Sequence, residues 1–255
     1  MCLILFSYDI HPVYKLVVAA NRDEFYDRPA APLEIWPEEP RIIAGRDLKG
    51  GGTWMGVSPD GRLAALTNFR DPRTLKSRAP TRGTLVTDFL TGGLPARNYL
   101  EELGRRAGDY NGFNLVVYDG RDFCYYSNHE GIVRQIQAGY HGLSNHLLDT
   151  PWPKIRRGLK LFEATAAAIS PGAIFEMLED RKLPADSELP ETGVGLAWER
   201  ILSPLFIESE IYGTRSSSLV TIDRSGRLEF HERTYDPQQD TLASATRKIA
   251  LQIGS

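Results

Sequence analysis

Cysteine is almost absent from this chain of 255 residues; Cys2 and Cys124 are the two it has. A disulfide framework is thereby excluded, and a reducing, cytoplasmic setting is expected. No apolar run approaches the ~20 residues that span a bilayer, so membrane insertion is not expected. The opening MCLILFSYDI lacks a basic leader and a small-residue cleavage site, and Asp9 interrupts its apolar stretch. A secretory signal is therefore not expected. An excess of charge is missing too: 30 Lys and Arg against 33 Asp and Glu leave a formal net charge of -3. That balance gives no electrostatic reason for nucleic acid as a partner. The five histidines, His11, His129, His141, His146 and His231, show no ligand spacing with Cys or acid. No metal and no cofactor are expected. Gly50-Gly51-Gly52 is not followed by Gly-Lys-Ser/Thr, so it reads as a turn and not as a phosphate cradle. Internal repeats and low-complexity tracts are absent.

What is present is an ordinary globular composition, 42% hydrophobic and 25% charged, on a length that suits one domain over 1–255 with a sizeable core. Apolar runs predict strands over 3–8, 16–20, 41–44, 53–57 and 63–68, the last two joined by the turn Ser58-Pro59-Asp60-Gly61. Helical spacing over 84–106 breaks near Gly92-Gly93-Leu94-Pro95. Strands follow over 113–118, 123–126, 133–136 and 140–144, then helices over 154–169 and 173–179, the second capped by Ser170-Pro171. Residues 180–197 read as a surface loop, and 217–222 with 228–233 as a final hairpin. Trp54 and Trp152 are expected in the core. Strands in blocks with helices grouped between them predict α+β with largely antiparallel sheets. Several strands are apolar on both faces. Two packed sheets covered outside by helices, a four-layer αββα sandwich, satisfy them.

The chemistry-bearing residue is Cys2. An initiator Met is removed when the second residue is small, and removal would leave Cys2 with a free α-amine beside its thiol. That amine titrates near ~7.7–8.0 and can act as a general base at neutral pH. Nucleophile and base would then belong to one residue. A cation nearby favours the reactive thiolate. Asn21-Arg22-Asp23-Glu24, directly after the apolar strand 16–20, supplies one: Arg22 can face the sulfur, and Asp23 can orient the amine or thiol.

The run Ala19-Ala20-Asn21-Arg22-Asp23-Glu24-Phe25-Tyr26, with Arg28-Pro29, resembles the signature of the NRDE family, also called the transport-and-Golgi-organisation family. Gly51-Gly52-Thr53-Trp54, Leu63-Ala64-Ala65-Leu66-Thr67-Asn68, Arg82-Gly83 and Tyr110-Asn111-Gly112-Phe113-Asn114-Leu115 continue it in order. Gly142-Leu143-Ser144-Asn145, Thr150-Pro151-Trp152 and Tyr212-Gly213-Thr214-Arg215 follow. The resemblance spans about residues 1–235 and implies an N-terminal-nucleophile (Ntn) hydrolase-like fold. More distantly, the plan is similar to the cysteine Ntn amidases of the bile-salt hydrolase and penicillin V acylase type. That likeness implies Cys2, Arg22, Asp23, Asn68, Asn145 and Arg215 as catalytic residues. Asn68 and Asn145 would stabilise the oxyanion of acyl transfer, and Arg215 would bind developing charge or a substrate carboxylate. Those amidases separate their Arg and Asp by two residues, whereas Arg22 and Asp23 are adjacent. Neighbours on a strand face opposite sides, so an irregular strand end is needed to bring both to one pocket.

The function expected is hydrolysis of a small linear amide or acyl compound, a non-peptide C–N bond, through a Cys2 thioester. The alternative implied by the family is a small-molecule, haem-type binding or trafficking protein without catalysis; a scaffold with a vestigial pocket is a third. The expected partner is a small molecule.

Overall fold

Strands that are apolar at every position need cover on both faces, and the fold gives it. The computed structural model describes residues 2–166, 169–236 and 245–253. One antiparallel sheet of six strands runs in the order β10 (Gly139–Leu143), β1 (Cys2–Tyr8), β2 (Tyr14–Phe25), β11 (Tyr212–Asp223), β12 (Arg227–Thr234), β13 (Ala245–Gln252). A second, of seven strands, runs in chain order through β3 (Ala30–Ile35), β4 (Ile43–Asp47), β5 (Met55–Val57), β6 (Leu63–Asn68), β7 (Phe113–Tyr118), β8 (Phe123–Ser127) and β9 (Val133–Gln135).

Alternation along β1 and β2 sorts their side chains into two layers. Ile4, Phe6, Leu16 and Val18 meet Leu63, Val116 and Tyr125 of the second sheet in the central core. Leu3, Leu5, Val17 and Ala19 turn outward onto α3 (Pro153–Thr165) and α4 (Pro171–Leu178). On the far side, α1 (Gly83–Thr91) and α2 (Ala96–Gly104) cover Ala64, Leu66, Leu115 and Val117. The layer order is αββα, as the strand pattern and the family resemblance imply.

The differences from expectation have local causes. Strand β2 continues past position 20 to Phe25, because Asn21, Arg22 and Asp23 keep pairing with β11. Strand β3 was hidden by Pro32, which breaks a ladder; the register with β4 shifts between Ala31 and Glu34. Strand β13 was hidden by Arg247 and Lys248. It is an edge strand whose Ile249 and Leu251 pack on the central core, and charge on an edge guards against further pairing. The segment read as loop over 180–197 ends in a helix, α5 (Leu196–Ile201), started after Gly195 at φ 84° and anchored by buried Glu199. Of the helix expected over 154–169, residues 167 and 168 lie outside the described residues, as does Met1.

The turn from β4 into β5 is held against the start of α1: Thr53 N donates to Gly83 O at 3.3 Å. A Cβ on Gly52 would stand 2.3 Å from Gly83 C and 2.5 Å from its O, backbone that cannot swing aside. Gly52→Ala is therefore expected to destabilise the fold by ~1–3 kcal/mol. The check is a lowered urea midpoint with an unchanged slope.

Candidate active site

The antiparallel register of β1 and β2 sets Cys2 directly opposite Arg22. Both belong to the inter-sheet side of their strands and line a cavity of about 300 Å³ at the sandwich end. Asp23, Asn68, Trp54 and Arg82 also line it. Opposite residues 22 and 23, strand β11 is irregular: Thr214 pairs with Asp23 and Ser216 with Arg22, so Arg215 is bulged out. A bulge bends its strand and re-aims side chains; this one turns Arg215 away, while Arg22 and Asp23 both border the cavity.

Each residue of the Asn21–Glu24 run has a different task. Asn21 is fully buried; its amide donates to Leu178 O at 2.9 Å and Leu205 O at 2.8 Å, and its oxygen accepts from Ser217. It ties the sheet to the segments after α4 and α5. Arg22 is 6% exposed, with its guanidinium 4.2 Å from the centroid of the Trp54 ring. Among the described residues it forms no salt bridge and no hydrogen bond. Asp23 is buried and accepts from Thr214 Oγ1 at 2.7 Å. Glu24 lies at the rim, 3.7 Å from Arg28, which holds Asp47 through two hydrogen bonds of 3.1 and 2.6 Å.

Cys2 is half-buried. Burial pushes its thiol up and Asp23 adds to the rise; Arg22 and a hydrogen bond from the Asp23 main chain oppose it. Burial thus outweighs Arg22 at the sulfur. Burial also raises the Asp23 carboxyl, against the pull of Lys154 and Thr214. Cys124 is fully buried, with its thiol pushed up by burial to about 11.

Two of the expected residues stand elsewhere. Asn145 is fully buried; its amide donates to the main-chain oxygen of Asn68 at 2.9 Å, and its oxygen accepts from Ser144 at 3.3 Å and Arg70 at 3.4 Å. With its amide spent on Asn68, it supports that residue from behind and does not face the cavity as a donor. Arg215, carried outward by the bulge, donates to the oxygens of Phe25, Tyr26 and Arg28 at 3.0 to 3.1 Å. It fastens the turn after β2 and does not line the cavity of Cys2. Trp54 combines two places, packing on the central core and walling the cavity.

Other residues enter that had no part in the expectations. Lys154 is 3% exposed, and its Nζ has no hydrogen-bond partner among the described residues. Burial pushes it down to about 8, while Asp23 pulls the other way. Its spacing with Gly158 and Phe162 on the buried face of α3 was the legible sign. Arg70 and Glu199 pair at 2.6 Å, both nearly sealed from solvent. Arg82, quoted only as part of a motif, lines the cavity beside the α1 start and donates to Gly112 O at 2.8 Å. No group of three or more His, Cys, Asp or Glu among the described residues is placed to hold a metal ion. No helix among them is long and apolar enough to cross a membrane.

Beyond the Arg22–Trp54 wall lies a second cavity of about 200 Å³, lined also by Arg215, Ser216 and Glu232. Glu232 is 1% exposed; Oε1 accepts from Leu33 N at 2.6 Å, and Oε2 has no hydrogen-bond partner among the described residues. Ser216 Oγ lies near this carboxyl without the geometry of a hydrogen bond to it. Burial pushes Glu232 up to about 7, against the Leu33 N–H and Arg22.

The model of a family described as Transport and Golgi organisation 2 matches residues 1–237. The Transport and Golgi organization protein 2 homolog of Homo sapiens is 37% identical, over 92% of this chain and 93% of the human protein. The Mus musculus homolog is 36% identical over the same shares, and the Drosophila melanogaster protein 30% over 92% of each. Among solved structures, a Caenorhabditis elegans N-acylethanolamine-hydrolyzing acid amidase ortholog superposes with a TM-score of 0.48 at 8% identity, covering 86% of this chain and 92% of that one.

Glu232 gives the site a pH signature. A carboxyl raised in the folded state above its ordinary value of 4.5 binds its proton more tightly when folded. Its stabilisation is complete below pH ~4.5 and is lost as pH rises through about 7. Glu232→Gln is expected to gain on the parent protein between pH 5 and 8, by up to about 3 kcal/mol. Urea unfolding across that range checks it; parallel curves would show an unperturbed carboxyl.

Proposed function

The chain belongs to the Transport and Golgi organisation 2 family, and from the geometry of its cavity we propose that it is an N-terminal-nucleophile cysteine hydrolase of small linear amides or acyl compounds. The observation that carries this reading is the direct pairing of Cys2 with Arg22 at a cavity wall. Removal of Met1 exposes the α-amine of Cys2. The amine takes the thiol proton, which the raised thiol does not give up unaided. The thiolate attacks the substrate carbonyl carbon, and the carbonyl electrons move onto oxygen. Arg22 balances the charge as it passes from sulfur to substrate. Asn68, at the cavity wall, is the candidate donor to the oxyanion, a contribution of ~3–4 kcal/mol for one well-placed donor. Collapse expels the leaving amine, which takes the proton from the α-ammonium, and leaves a thioester. Water, deprotonated by the same amine, hydrolyses the thioester and restores the thiol. Asp23 orients the α-ammonium and Asn145 holds Asn68, both as positioning residues.

The test is exposure of Met1-free protein to a thiol-reactive acyl ester at neutral pH, followed by mass mapping of the adduct. Acylation of Cys2 and not of Cys124 is expected, with at least ~100-fold slower reaction when Met1 is retained, since the general base is then an amide. Equal reaction with and without Met1, or an unmodified Cys2, would overturn the reading.

A further inference from the structure

The charges around the Cys2 cavity are unevenly matched. Its carboxylates are engaged: Asp47 and Glu24 by Arg28, and Asp23 by Thr214. Its other two guanidiniums have no carboxylate within salt-bridge reach among the described residues, and Arg82 is held there by the main-chain oxygen of Gly112 alone. Neither Arg22 nor Arg82 forms a salt bridge among the described residues, although Arg22 is 6% exposed. A buried cation without a counter-ion is costly, and cations in such places are paired or wait for an anion. The Trp54 face offsets only part of that cost. Thr81, Arg82 and Gly83 bring the N-terminus of α1 to the same wall, and that end of a helix attracts anions. Across the cavity from that helix start, Arg22 is buried and forms no salt bridge among the described residues.

We infer that the substrate carries an anionic oxygen group, a carboxylate or a phosphate, seated between Arg22 and Arg82 at the start of α1, with its acyl carbon presented to Cys2. This rests on the reading of Cys2 as the reactive group. Arg82 is the specificity-determining residue, since Arg22 also serves the sulfur. A cavity of about 300 Å³ is at the lower end for small-molecule sites, so the acyl compound is small.

A pair of alkylating probes of nearly equal size tests this on full-length, Met1-free protein. Iodoacetate carries a carboxylate and iodoacetamide does not; both consume the same thiolate and release iodide. Their rate ratio at Cys2 thus removes thiol activation from the comparison. The ratio at Cys2 is expected to exceed that of glutathione by about tenfold or more, the range of electrostatic focusing in a cleft. Arg82→Gln should return it toward glutathione, and Arg82→Lys should keep most of it. Acetate or inorganic phosphate should slow iodoacetate; protection by acetate alone assigns a carboxylate, and by phosphate alone a phosphate. A glutathione-like ratio, a ratio unmoved in Arg82→Gln, or protection by neither anion overturns the inference while leaving Cys2 reactive. A Cys2 inert to both probes overturns it together with the proposed function.

Discussion

A guanidinium buried to 6% exposure that forms no salt bridge among the described residues is the constraint around which this site is arranged. Arg22 stays in place because three strands leave it nowhere else to go. It pairs with Cys2 on one side and Ser216 on the other, and the Trp54 ring covers its face. Its charge is therefore available to whatever enters from the cavity, or to a thiolate formed there. The same charge opposes the protonation of Glu232 on the other side of the wall, so two cavities share one cation.

Behind the Cys2 strand a polar layer holds the geometry. Asn21 joins β2 to segments far along the chain through two main-chain oxygens. Asp23 is met by Thr214 from the side and by the field of Lys154 from the helical layer. The Arg70–Glu199 pair locks α5 under the same region. Buried groups of this kind are expensive unless satisfied. They are concentrated at the sheet end that carries the Cys2 cavity.

Much of this was legible in the residues. The both-faces-apolar runs at 3–8 and 16–20 called for cover above and below, and two sheets with outer helices supply it. The ordered motifs from Asn21-Arg22-Asp23-Glu24 to Tyr212-Gly213-Thr214-Arg215 pointed to the family and to Cys2, Arg22, Asp23 and Asn68 around one cavity. Arg215 and Asn145 were legible as members of the motifs but not in their tasks. A bulge turns Arg215 to the main chain of residues 25–28, and an inward amide makes Asn145 a brace for Asn68. Pro32 concealed β3, and the charges of β13 concealed an edge strand. The spacing of Lys154 with Gly158 and Phe162 put it on the buried face of α3, but its influence on Asp23 emerged only from the packing of that helix.

By itself the sequence determined the layer order and the family, because burial of alternating apolar side chains and the spacing of a signature are local properties of the chain. Only the tertiary structure decided which polar groups face the cavity and which face protein. That division depends on the β1–β2 register, on one extra residue in β11, and on helices packed from distant positions. These relations are set by long-range packing, and a side chain cannot reveal its partner before the strands that carry both are brought together.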